Sequence, residues 1–514
     1  MNNNKKKRKK IFISTPIFYP NEKLHLGHAY TMVIADIIAR YKRSKNYQVF
    51  FQTGSDEHGE KIEKKALSLN ISPKKLVDDN VILFKELLKK MNISNDIFYR
   101  TSSSLHIKKV KKIFKELLKN NDIYLDDYKG NYCITCEDYI INNDITNKKC
   151  IFCDSTTKEI KEKAYFLSIK KNYHFLIKYY KKKNFILPNN IKKELENKFL
   201  KKNIRDLCIT RKGLKWGISV PNNNEMTIYV WFDALLNYLN SKEGEKFFFP
   251  NYNEKNSEII HIIGKDISRF HCIYWPIILK MLKGKIPNNF ICHGWIMNKE
   301  SKMSKSKGNC IDPLDLIKSF SEDVLRAYFV KKIIFLNDGF LEKKMLEDFY
   351  RDFFVNKLSN LVSRVCKMIT IYNNGNIPIF NLIEMKKNEK LEKFYQECFL
   401  LLNNFQNNMK EYNLTKAFLN IEDLIKKSNV LIQDFLPWEL KKNKEEKTLN
   451  LLLNCLANGI KIIAFLLNSF TPNTSYLILK IFKKKYDDLN WKNIFFFNEL
   501  NNIKIPIFKK HLYE

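Results

Sequence analysis

Residues 16–28 read Pro16-Ile17-Phe18-Tyr19-Pro20-Asn21-Glu22-Lys23-Leu24-His25-Leu26-Gly27-His28, and they connect two segments with different hydrophobic patterns. The apolar run at residues 10–14 comes before them and is typical of a buried strand. Residues 29–41 come after them and carry apolar side chains at helical spacing. The stretch is therefore predicted to be a turn between a first strand and a first helix, where ligands bind in an open parallel sheet.

Two histidines mark the start of the predicted helix. His25 and His28 are three positions apart and share one helical face, where unpaired backbone N–H groups and the helix dipole favour anions. Gly27 has no Cβ atom, so a flat group can lie against the backbone there. The pair is suited to a nucleotide phosphate, but a histidine can also cap a helix or pack locally, and the stretch alone leaves both open.

A second basic stretch lies far downstream, where residues 302–309 read Lys302-Met303-Ser304-Lys305-Ser306-Lys307-Gly308-Asn309. Lysine alternates with serine in a loop that ends in glycine, which offers mobile ammonium groups to a polyphosphate. The chain has 90 lysine and arginine residues, so a basic loop of this kind can also be an ordinary solvated surface.

The two stretches together resemble the class I aminoacyl-tRNA synthetases, which carry a His-Leu-Gly-His turn after the first strand and a Lys-Met-Ser-Lys-Ser loop downstream. Thr53-Gly54-Ser55-Asp56-Glu57-His58-Gly59 and Trp231-Phe232-Asp233-Ala234 narrow the resemblance to the methionyl-tRNA synthetase family. The resemblance extends from about residue 11 to the last residues. It implies a Rossmann-type α/β catalytic domain with a parallel sheet and a zinc-knuckle insertion, followed by an all-α anticodon-binding bundle.

Changes in sequence pattern divide the chain into six predicted parts. Three strands are predicted in the second catalytic half, at residues 229–234, 259–266 and 290–296. The tail is predicted to contain long amphipathic helices. The parts are a basic disordered tail (1–10), the first half of the Rossmann catalytic domain (11–116), a connective insertion with the zinc knuckle (117–224), the second half of the catalytic domain (225–292), the lysine-loop region that contacts the tRNA stem (293–345) and the helical anticodon-binding domain (346–514).

The insertion contains two Cys-x-x-Cys pairs, which are separated by thirteen residues. Four thiolates at this spacing match a tetrahedral Zn²⁺ site with no open coordination position, so one structural zinc ion is predicted to organise the insertion. Asp154 follows the last cysteine where the family usually has a glycine. The predicted ligands are Cys133, Cys136, Cys150 and Cys153.

The resemblance implies a reaction in two steps. The methionine carboxylate attacks the α-phosphate of ATP, and a ribose hydroxyl at the 3′ end of the tRNA then opens the methionyl-adenylate. Catalysis by positioning and by neutralising phosphate charge suffices for such a reaction. The predicted catalytic residues are His25, His28, Lys302 and Lys305; with Gly27 they are predicted to bind ATP, and Mg²⁺ accompanies the phosphates.

The resemblance also implies an apolar slot for the thioether, with an acceptor for the ammonium group. Asp56 is predicted to accept the ammonium, and Asp266 is predicted to lie at the rim of the slot. Plain core packing would explain most aromatic side chains of this chain equally well. No partner is predicted for His106. The residues predicted to line the slot are Ile17, Tyr19, Trp231, Tyr238 and His271.

By the same resemblance, Asn360, Arg364 and Trp438 are predicted to read the anticodon of tRNA(Met), including the initiator tRNA. Asn360 and Arg364 are four residues apart on one helix face. Trp438 follows Pro437 and could stack on an unpaired base, although it could also be a core tryptophan. Ser359 and Leu431 depart slightly from the family pattern.

Composition limits the remaining possibilities. A chain of 514 residues is too long for one core. The formal charge of +35 implies a polyanionic partner, although frequent lysine, asparagine and isoleucine also suggest A+T-rich codon bias. The eleven cysteines do not form a disulfide framework and suit a reducing compartment. Residues 451–470 are interrupted by polar side chains, and the first ten residues lack an apolar segment, so neither a membrane span nor a signal peptide is predicted. A cytoplasmic location without a membrane partner is therefore expected. A monomeric state is expected as well.

Several related classes fit the sequence less well. Leucyl, isoleucyl and valyl synthetases carry a large editing insertion, and the insertion here has only about a hundred residues. Cysteinyl synthetases need a catalytic zinc ion, but no cysteine is close to His25 in the sequence. A smaller nucleotidylyltransferase would not need the helical tail. A basic RNA-binding protein without activity would not need to keep His25, His28, Lys302, Lys305 and Asp56.

Overall fold

The computed structural model describes residues 8–134, 138–140, 145–146, 149–150, 155–201, 204–250, 257–297, 311–333, 336–495 and 497–505. Lys302, Lys305, Cys136 and Cys153 therefore lie outside the described residues, as does most of the predicted basic tail. The chain divides into two compact units. The first consists of residues 1–35, 48–89 and 94–294, and the second of residues 36–47, 90–93 and 295–514.

Strands belong mainly to the first unit. They are β1 Lys10–Phe18, β2 Gln48–Ser55, β3 Ile97–Arg100, β4 Ile123–Cys133, β5 Asp138–Ile140, β6 Ile145–Thr146, β7 Lys149–Cys150, β8 Lys158–Leu167, β9 Ile186–Leu187, β10 Leu207–Cys208, β11 Thr210–Lys212, β12 Ser219–Val220, β13 Asn223–Ile228, β14 Glu258–Gly264, β15 Asn289–His293, β16 Ile296–Met297 and β17 Gly339–Phe340.

Helices occur in both units. They are α1 Leu26–Ser44, α2 Glu60–Ser68, α3 Pro73–Lys90, α4 Ser104–Lys119, α5 Tyr173–Tyr180, α6 Asn189–Leu195, α7 Val230–Leu236, α8 Lys242–Phe248, α9 Trp275–Met281, α10 Pro313–Phe320, α11 Glu322–Lys331, α12 Lys343–Phe349, α13 Asn360–Asn373, α14 Leu382–Lys386, α15 Glu389–Lys410, α16 Leu414–Phe435, α17 Pro437–Lys442, α18 Glu446–Leu467 and α19 Pro472–Ile481.

A six-stranded parallel sheet forms the centre of the first unit. Its strand order is β3-β2-β1-β14-β15-β9, and every neighbouring pair is parallel. Ile11, Phe12 and Ile13 of the central strand have no exposed surface, which explains why this strand is a continuous apolar run. The carboxyl ends of β1, β2, β14 and β15 lie at the same edge of the sheet, so the loops after these strands can form one site. The predicted α/β catalytic fold with a parallel sheet is thus confirmed.

Residues 229–234 form a helix, so the predicted strand there is wrong. Strand β13 ends at Ile228, Tyr229 is the residue before the helix, and α7 begins at Val230. Most residues of α7 are buried, and Trp231 is half-buried. A short run that is apolar on every side carries no periodicity, and sequence cannot tell a buried helix from a buried strand in such a run.

The region of the predicted insertion contains antiparallel strands together with helices α5 and α6, and its strand β9 joins the edge of the parallel sheet. The long strands β4 and β8 pair from Ile123 with Leu167 to Tyr132 with Lys158. The short strands β6 and β7 form a separate antiparallel pair. Cys133 ends β4 and Cys150 ends β7, and both side chains are buried.

The second unit is mainly helical, as predicted for the tail. Helices α15 and α16 have 22 residues each and pack against each other and against α18. Helix α12 continues directly into the π-helical segment Tyr350–Ser359, which in turn continues as α13. Among the described helices, α18 is long and apolar enough to cross a membrane, but 94% of its apolar window is buried within the fold. Burial of this kind is the property of a core helix.

Candidate functional site

The loop after β1 brings the two predicted phosphate-binding histidines together. Helix α1 begins at Leu26, so His25 is the residue immediately before it, and the His25 carbonyl accepts from the backbone N–H groups of His28 (3.0 Å) and Ala29 (3.2 Å). The two imidazole rings lie with their centroids 3.9 Å apart. His28 also contacts the ring of Phe18 edge-on, with 5.2 Å between the centroids.

Hydrogen bonds within this turn determine which nitrogen carries the proton in each neutral ring. The Nδ1 atom of His25 accepts from the backbone N–H of Gly27, and the Nδ1 atom of His28 accepts from the backbone N–H of His25, each over 3.1 Å. A nitrogen that accepts a hydrogen bond carries no proton, so the proton of each neutral imidazole is on Nε2. Both rings can therefore donate an Nε2–H hydrogen bond to an anionic oxygen.

Gly27 has a local reason to be glycine. A Cβ atom at this position would lie 2.9 Å from the Cε1 atom of His25. The missing side chain therefore makes room for the His25 imidazole, a constraint that the sequence pattern did not reveal.

His293, at the end of β15, supports the first turn of α1. Its Nδ1 atom lies 2.8 Å from the Gly294 carbonyl oxygen and its Nε2 atom lies 2.7 Å from the Thr31 hydroxyl. Because a carbonyl can only accept, Nδ1 carries the proton and Nε2 accepts from Thr31, whose hydroxyl is also 3.0 Å from the Gly27 carbonyl. Burial lowers the pKa of His293, which keeps this imidazole neutral.

Tyr238 and His271 form a buried pair among the predicted methionine-binding residues. The Tyr238 hydroxyl is 2.8 Å from Nε2 of His271, whose Nδ1 atom is 3.1 Å from the Ile267 carbonyl oxygen. The carbonyl requires the His271 proton to be on Nδ1, so the phenol donates to Nε2. Burial lowers the pKa of His271 to about 4, although the Ile267 carbonyl and the charge of Asp266 oppose this shift. His271 is therefore neutral at physiological pH.

An aromatic wall lies next to this pair. The rings of Trp231 and Phe270 are stacked, with centroids 3.9 Å apart and planes 5° from parallel. The Trp231 ring also meets His271 at 85°, with 6.5 Å between the centroids. Trp231 remains half-buried, so part of its surface is not covered by this packing.

Two acidic side chains lie near these aromatic residues. Asp56 follows β2, is 6% exposed, and its backbone N–H donates to the Phe18 carbonyl over 2.9 Å. Burial raises the pKa of Tyr238, and the negative charge of Asp56 raises it further, so the carboxylate acts electrostatically on the phenol. Asp266 is exposed, and its charge acts on His271 and His293 alike.

Ile17 and Tyr19, the two remaining predicted slot residues, are half-buried at the end of β1 and directly after it. A Cβ atom at Gly54 would lie 3.0 Å from Cγ2 of Ile17, so the two strands approach closely there. The Tyr19 hydroxyl donates to the His58 carbonyl over 2.7 Å.

His106 has a partner, so the expectation that it has none is wrong. The Asp233 carboxylate lies between two histidines: Oδ2 is 2.7 Å from Nδ1 of His58, and Oδ1 accepts from Nε2 of His106. All three side chains are buried. Burial alone would raise the pKa of Asp233, but His106 and His58 outweigh it and lower this pKa to about 2. His106 and Asp233 are 127 residues apart, and no sequence signal connects them.

The predicted anticodon residues lie in the second unit. Asn360 is exposed at the start of α13, and Arg364 is half-buried one turn later, 3.4 Å from the Asn429 side-chain oxygen. Trp438 is 49% exposed in the short helix α17. Trp438 is therefore not a core tryptophan.

Two of the four predicted zinc ligands lie within the described residues, and residues 302–309 of the predicted lysine loop lie outside them. Cys133 and Cys150 are 0% and 1% exposed, and the other two predicted ligands lie outside the described part. Within the described residues, no group of three or more histidine, cysteine, aspartate and glutamate side chains is arranged to hold a metal ion. Two buried thiols from separate Cys-x-x-Cys pairs have the donor chemistry that a structural zinc ion needs.

Comparisons with known proteins agree on one family. The family model described as tRNA synthetases class I (M) matches residues 11–145 and 140–366. The methionine–tRNA ligase of Ureaplasma parvum serovar 3 is 39% identical over 529 residues, which cover 99% of this chain and 99% of that protein. The methionine–tRNA ligase of Clostridium tetani is 38% identical, in an alignment that covers 91% of this chain and 73% of that protein.

A solved structure has the same fold over nearly the whole chain. Mycobacterium tuberculosis methionyl-tRNA synthetase in complex with methionyl-adenylate superposes with a TM-score of 0.90 at 26% sequence identity. The superposition covers 98% of this chain and 99% of that one.

Proposed function

The chain belongs to the methionyl-tRNA synthetases of class I, and from this premise we propose how its residues carry out the reaction. The reaction is the ATP-dependent ligation of methionine to tRNA. Methionine is first activated as methionyl-adenylate and is then transferred to the 3′-terminal adenosine of tRNA(Met), including the initiator tRNA. The observation that carries the proposal is that two imidazoles with Nε2–H donors, the buried Asp56 and the buried Tyr238–His271 pair all belong to segments that follow the carboxyl ends of strands in one parallel sheet.

The first step forms a bond between a methionine carboxylate oxygen and the α-phosphorus of ATP, and the bond to the β-phosphate bridging oxygen breaks. His25 and His28 donate from Nε2 to the phosphate oxygens, where negative charge develops. Lys302 and Lys305 neutralise the departing pyrophosphate, and of the two we expect Lys305 to contact it. Gly27 keeps the His25 ring in place. ATP enters with a divalent metal ion, which we infer to be Mg²⁺ and which neutralises phosphate charge.

Recognition of methionine combines one ion pair with an apolar slot. Asp56 accepts the ammonium group, and Asp266 lies at the rim. The neutral His271 and the Tyr238 hydroxyl bonded to it leave the slot without a net charge, which suits a thioether. The slot is lined by Ile17, Tyr19, Trp231, Tyr238 and His271.

In the second step a ribose hydroxyl of the tRNA attacks the carbonyl carbon of methionyl-adenylate, and AMP leaves with the bonding electrons. Asn360 and Arg364 read the anticodon from one face of α13, and Trp438 stacks on an unpaired base. The exposure of Trp438 and the +35 charge of the chain support binding of an RNA.

Four thiolates, from Cys133, Cys136, Cys150 and Cys153, would hold one structural zinc ion in the insertion. Bound zinc would stabilise the fold of these short strands and take no part in the chemistry. We further propose the six-part domain division given above, a cytoplasmic location without a membrane partner, and a monomeric state.

Pyrophosphate exchange into ATP, measured with each amino acid separately, tests this function. Exchange that requires methionine and is followed by charging of a tRNA(Met) transcript is the expected result. Exchange with a different amino acid, or no exchange with any, would contradict the proposal. The Asp56→Asn variant is the matched control, because it keeps the shape of the side chain and removes its charge; its KM for methionine should rise while its KM for ATP stays unchanged.

A further inference from the structure

We propose that Asp233, held between His58 and His106, is a positioning residue that fixes the Asp56 carboxylate for recognition of the methionine ammonium group. The inference rests on the proposed role of Asp56 and extends it to side chains that do not touch the substrate. Asp56 lies in the loop 55–59, directly before Glu57 and His58. Whatever fixes those two residues therefore limits where the Asp56 backbone can lie.

One side of the loop is fixed through Glu57, which has no exposed surface. Its carboxylate forms a two-point ion pair with Arg100, with Nε 2.6 Å from Oε1 and Nη2 2.9 Å from Oε2. The hydroxyl groups of Ser55 and Ser102 also donate to the two oxygens. Its backbone N–H donates to the Thr101 hydroxyl over 2.8 Å.

The other side of the loop is fixed through His58. The His58 Nδ1–H group donates to Asp233, which is itself held by His106 from helix α4. His106 has no exposed surface, and its other ring nitrogen contacts the Asn240 side-chain amide. A histidine from a separate helix thus anchors the carboxylate that anchors His58. We call the His58–Asp233–His106 group together with the Glu57–Arg100 pair the loop clamp.

The loop clamp also reaches the proposed slot by a second route. The His58 carbonyl oxygen accepts the Tyr19 hydroxyl, so movement of His58 would displace Tyr19 as well. The backbone N–H of Asp56 is bonded to the Phe18 carbonyl at the end of β1. Asp56 lies between these anchors and is buried, so a small shift of the loop would move its carboxylate relative to the residues at the end of β1.

A purely structural role for Asp233 would also place it between two partners, because a buried carboxylate needs them. The two roles differ in their effect on substrate discrimination. A structural defect lowers the amount of active enzyme and weakens all ligands alike. A displaced Asp56 weakens only ligands that carry the ammonium group.

The Asp233→Asn variant separates the roles, because it keeps the side-chain shape and places an amide donor opposite an imidazole donor. The readouts are the KM for methionine in pyrophosphate exchange, the KM for ATP, and the inhibition constant of 4-(methylthio)butanoate, which is methionine without its amino group. We expect the KM for methionine to rise on the order of 10-fold to 100-fold, as for a misplacement of about 1 Å. The KM for ATP should stay unchanged, and the inhibition constant of the desamino analogue should rise much less than the KM for methionine, because that analogue can lose only the contact with Tyr19.

Two further variants keep the test decisive if Asp233→Asn folds poorly. His58→Asn places an amide donor where Nδ1 was and should retain discrimination, whereas His58→Leu removes the donor and should lose it. Asp122→Asn is the matched control, because Asp122 is a buried carboxylate of the same unit, paired with Lys171 over 3.1 Å and not bonded to the loop 55–59. It should leave all three constants unchanged.

Equal weakening of methionine and its desamino analogue in Asp233→Asn, or no weakening of either, would overturn the inference. The Asp56→Asn variant distinguishes this failure from failure of the proposed function. If Asp56→Asn loses methionine selectively and Asp233→Asn does not, only the positioning role is wrong. If Asp56→Asn shows no selective loss, the assigned ammonium site itself is wrong.

Discussion

Replacing Tyr238 by phenylalanine removes one oxygen atom from the proposed methionine pocket and leaves the shape of the side chain nearly unchanged. Tyr238 and His271 are 1% and 3% exposed, and the hydrogen bond between them is 2.8 Å long. The substitution leaves Nε2 of His271 as a buried acceptor that has lost this donor. Such a loss costs about 1–3 kcal/mol.

The same substitution should change the protonation of His271. Burial holds its pKa at about 4, compared with an ordinary value of 6.5. The hydrogen bond from Tyr238 favours the neutral imidazole, so its removal raises the pKa toward the ordinary value. Burial, the largest cause of the low pKa, remains in the variant, so the pKa rises only by the part of the shift that the phenol contributes. A charged imidazolium would then occupy an apolar slot that also receives an ammonium group.

The change in the protonation of His271 is measured by pyrophosphate exchange between about pH 8 and about pH 5.5. This range lies on both sides of the ordinary histidine pKa. The unmodified enzyme should keep a nearly constant KM for methionine, because His271 stays neutral throughout. The Tyr238→Phe variant should have a KM raised on the order of 10-fold at the upper pH, from a cost of about 1.4 kcal/mol, and a further rise toward the lower pH.

The control for this prediction is Tyr179→Phe. Tyr179 is buried in the same unit and donates to the Pro287 carbonyl over 2.8 Å, outside the proposed pocket. Its pH profile should match that of the unmodified enzyme. A ratio of variant to unmodified KM that does not change with pH would refute the reasoning about His271.

Three further predictions concern other parts of the chain. Trp438→Ala should raise the KM for tRNA by the equivalent of about 1–3 kcal/mol, because a stacking surface is lost, while methionine-dependent exchange stays unchanged. Cys133→Ser should lower the zinc content, measured by elemental analysis, below one ion per chain, and a content unaffected by the substitution would exclude Cys133 as a ligand. Arg326→Leu should destabilise the second unit in urea by about 3–5 kcal/mol, because it removes a buried guanidinium that lies 2.7 Å from the Asp36 carboxylate and donates to the carbonyl oxygens of Met91, Ser469 and Phe470. Arg40 remains as the second arginine partner of Asp36. Unchanged unfolding would show that Arg326 contributes nothing.

The sequence predicted the elements that have strong periodicity or distinctive spacing. The predicted strand, turn and helix follow one another as expected, because an apolar strand run and a helical repeat differ clearly. The turn is shorter than predicted, since β1 continues to Phe18 and α1 already begins at Leu26. Residues 229–234 were predicted wrongly because an all-apolar run has no period. The error did not affect the choice of Trp231 as a slot residue, because that choice came from the resemblance to the family. Trp231 lies on helix α7 and not on a strand.

Long-range partners could not be predicted. Asp233 was visible only as part of a motif, and its contacts with His58 and His106 depend on how three separate elements fold together. The same holds for His293, whose contact with Thr31 joins residues 262 positions apart. Protonation states also required the structure, because the neutral form of His271 follows from burial and from two hydrogen-bond partners.

The central claim is that His25 and His28 act on phosphate charge through Nε2–H groups and do not bind methionine. Single-turnover formation of methionyl-adenylate by the His28→Ala variant, measured beside equilibrium binding of methionine, tests it most directly. We predict that adenylate formation slows on the order of 100-fold to 1000-fold, as for loss of one oxyanion donor, while methionine binds as before. Adenylate formation at the unmodified rate, or a loss confined to methionine binding, would contradict the account.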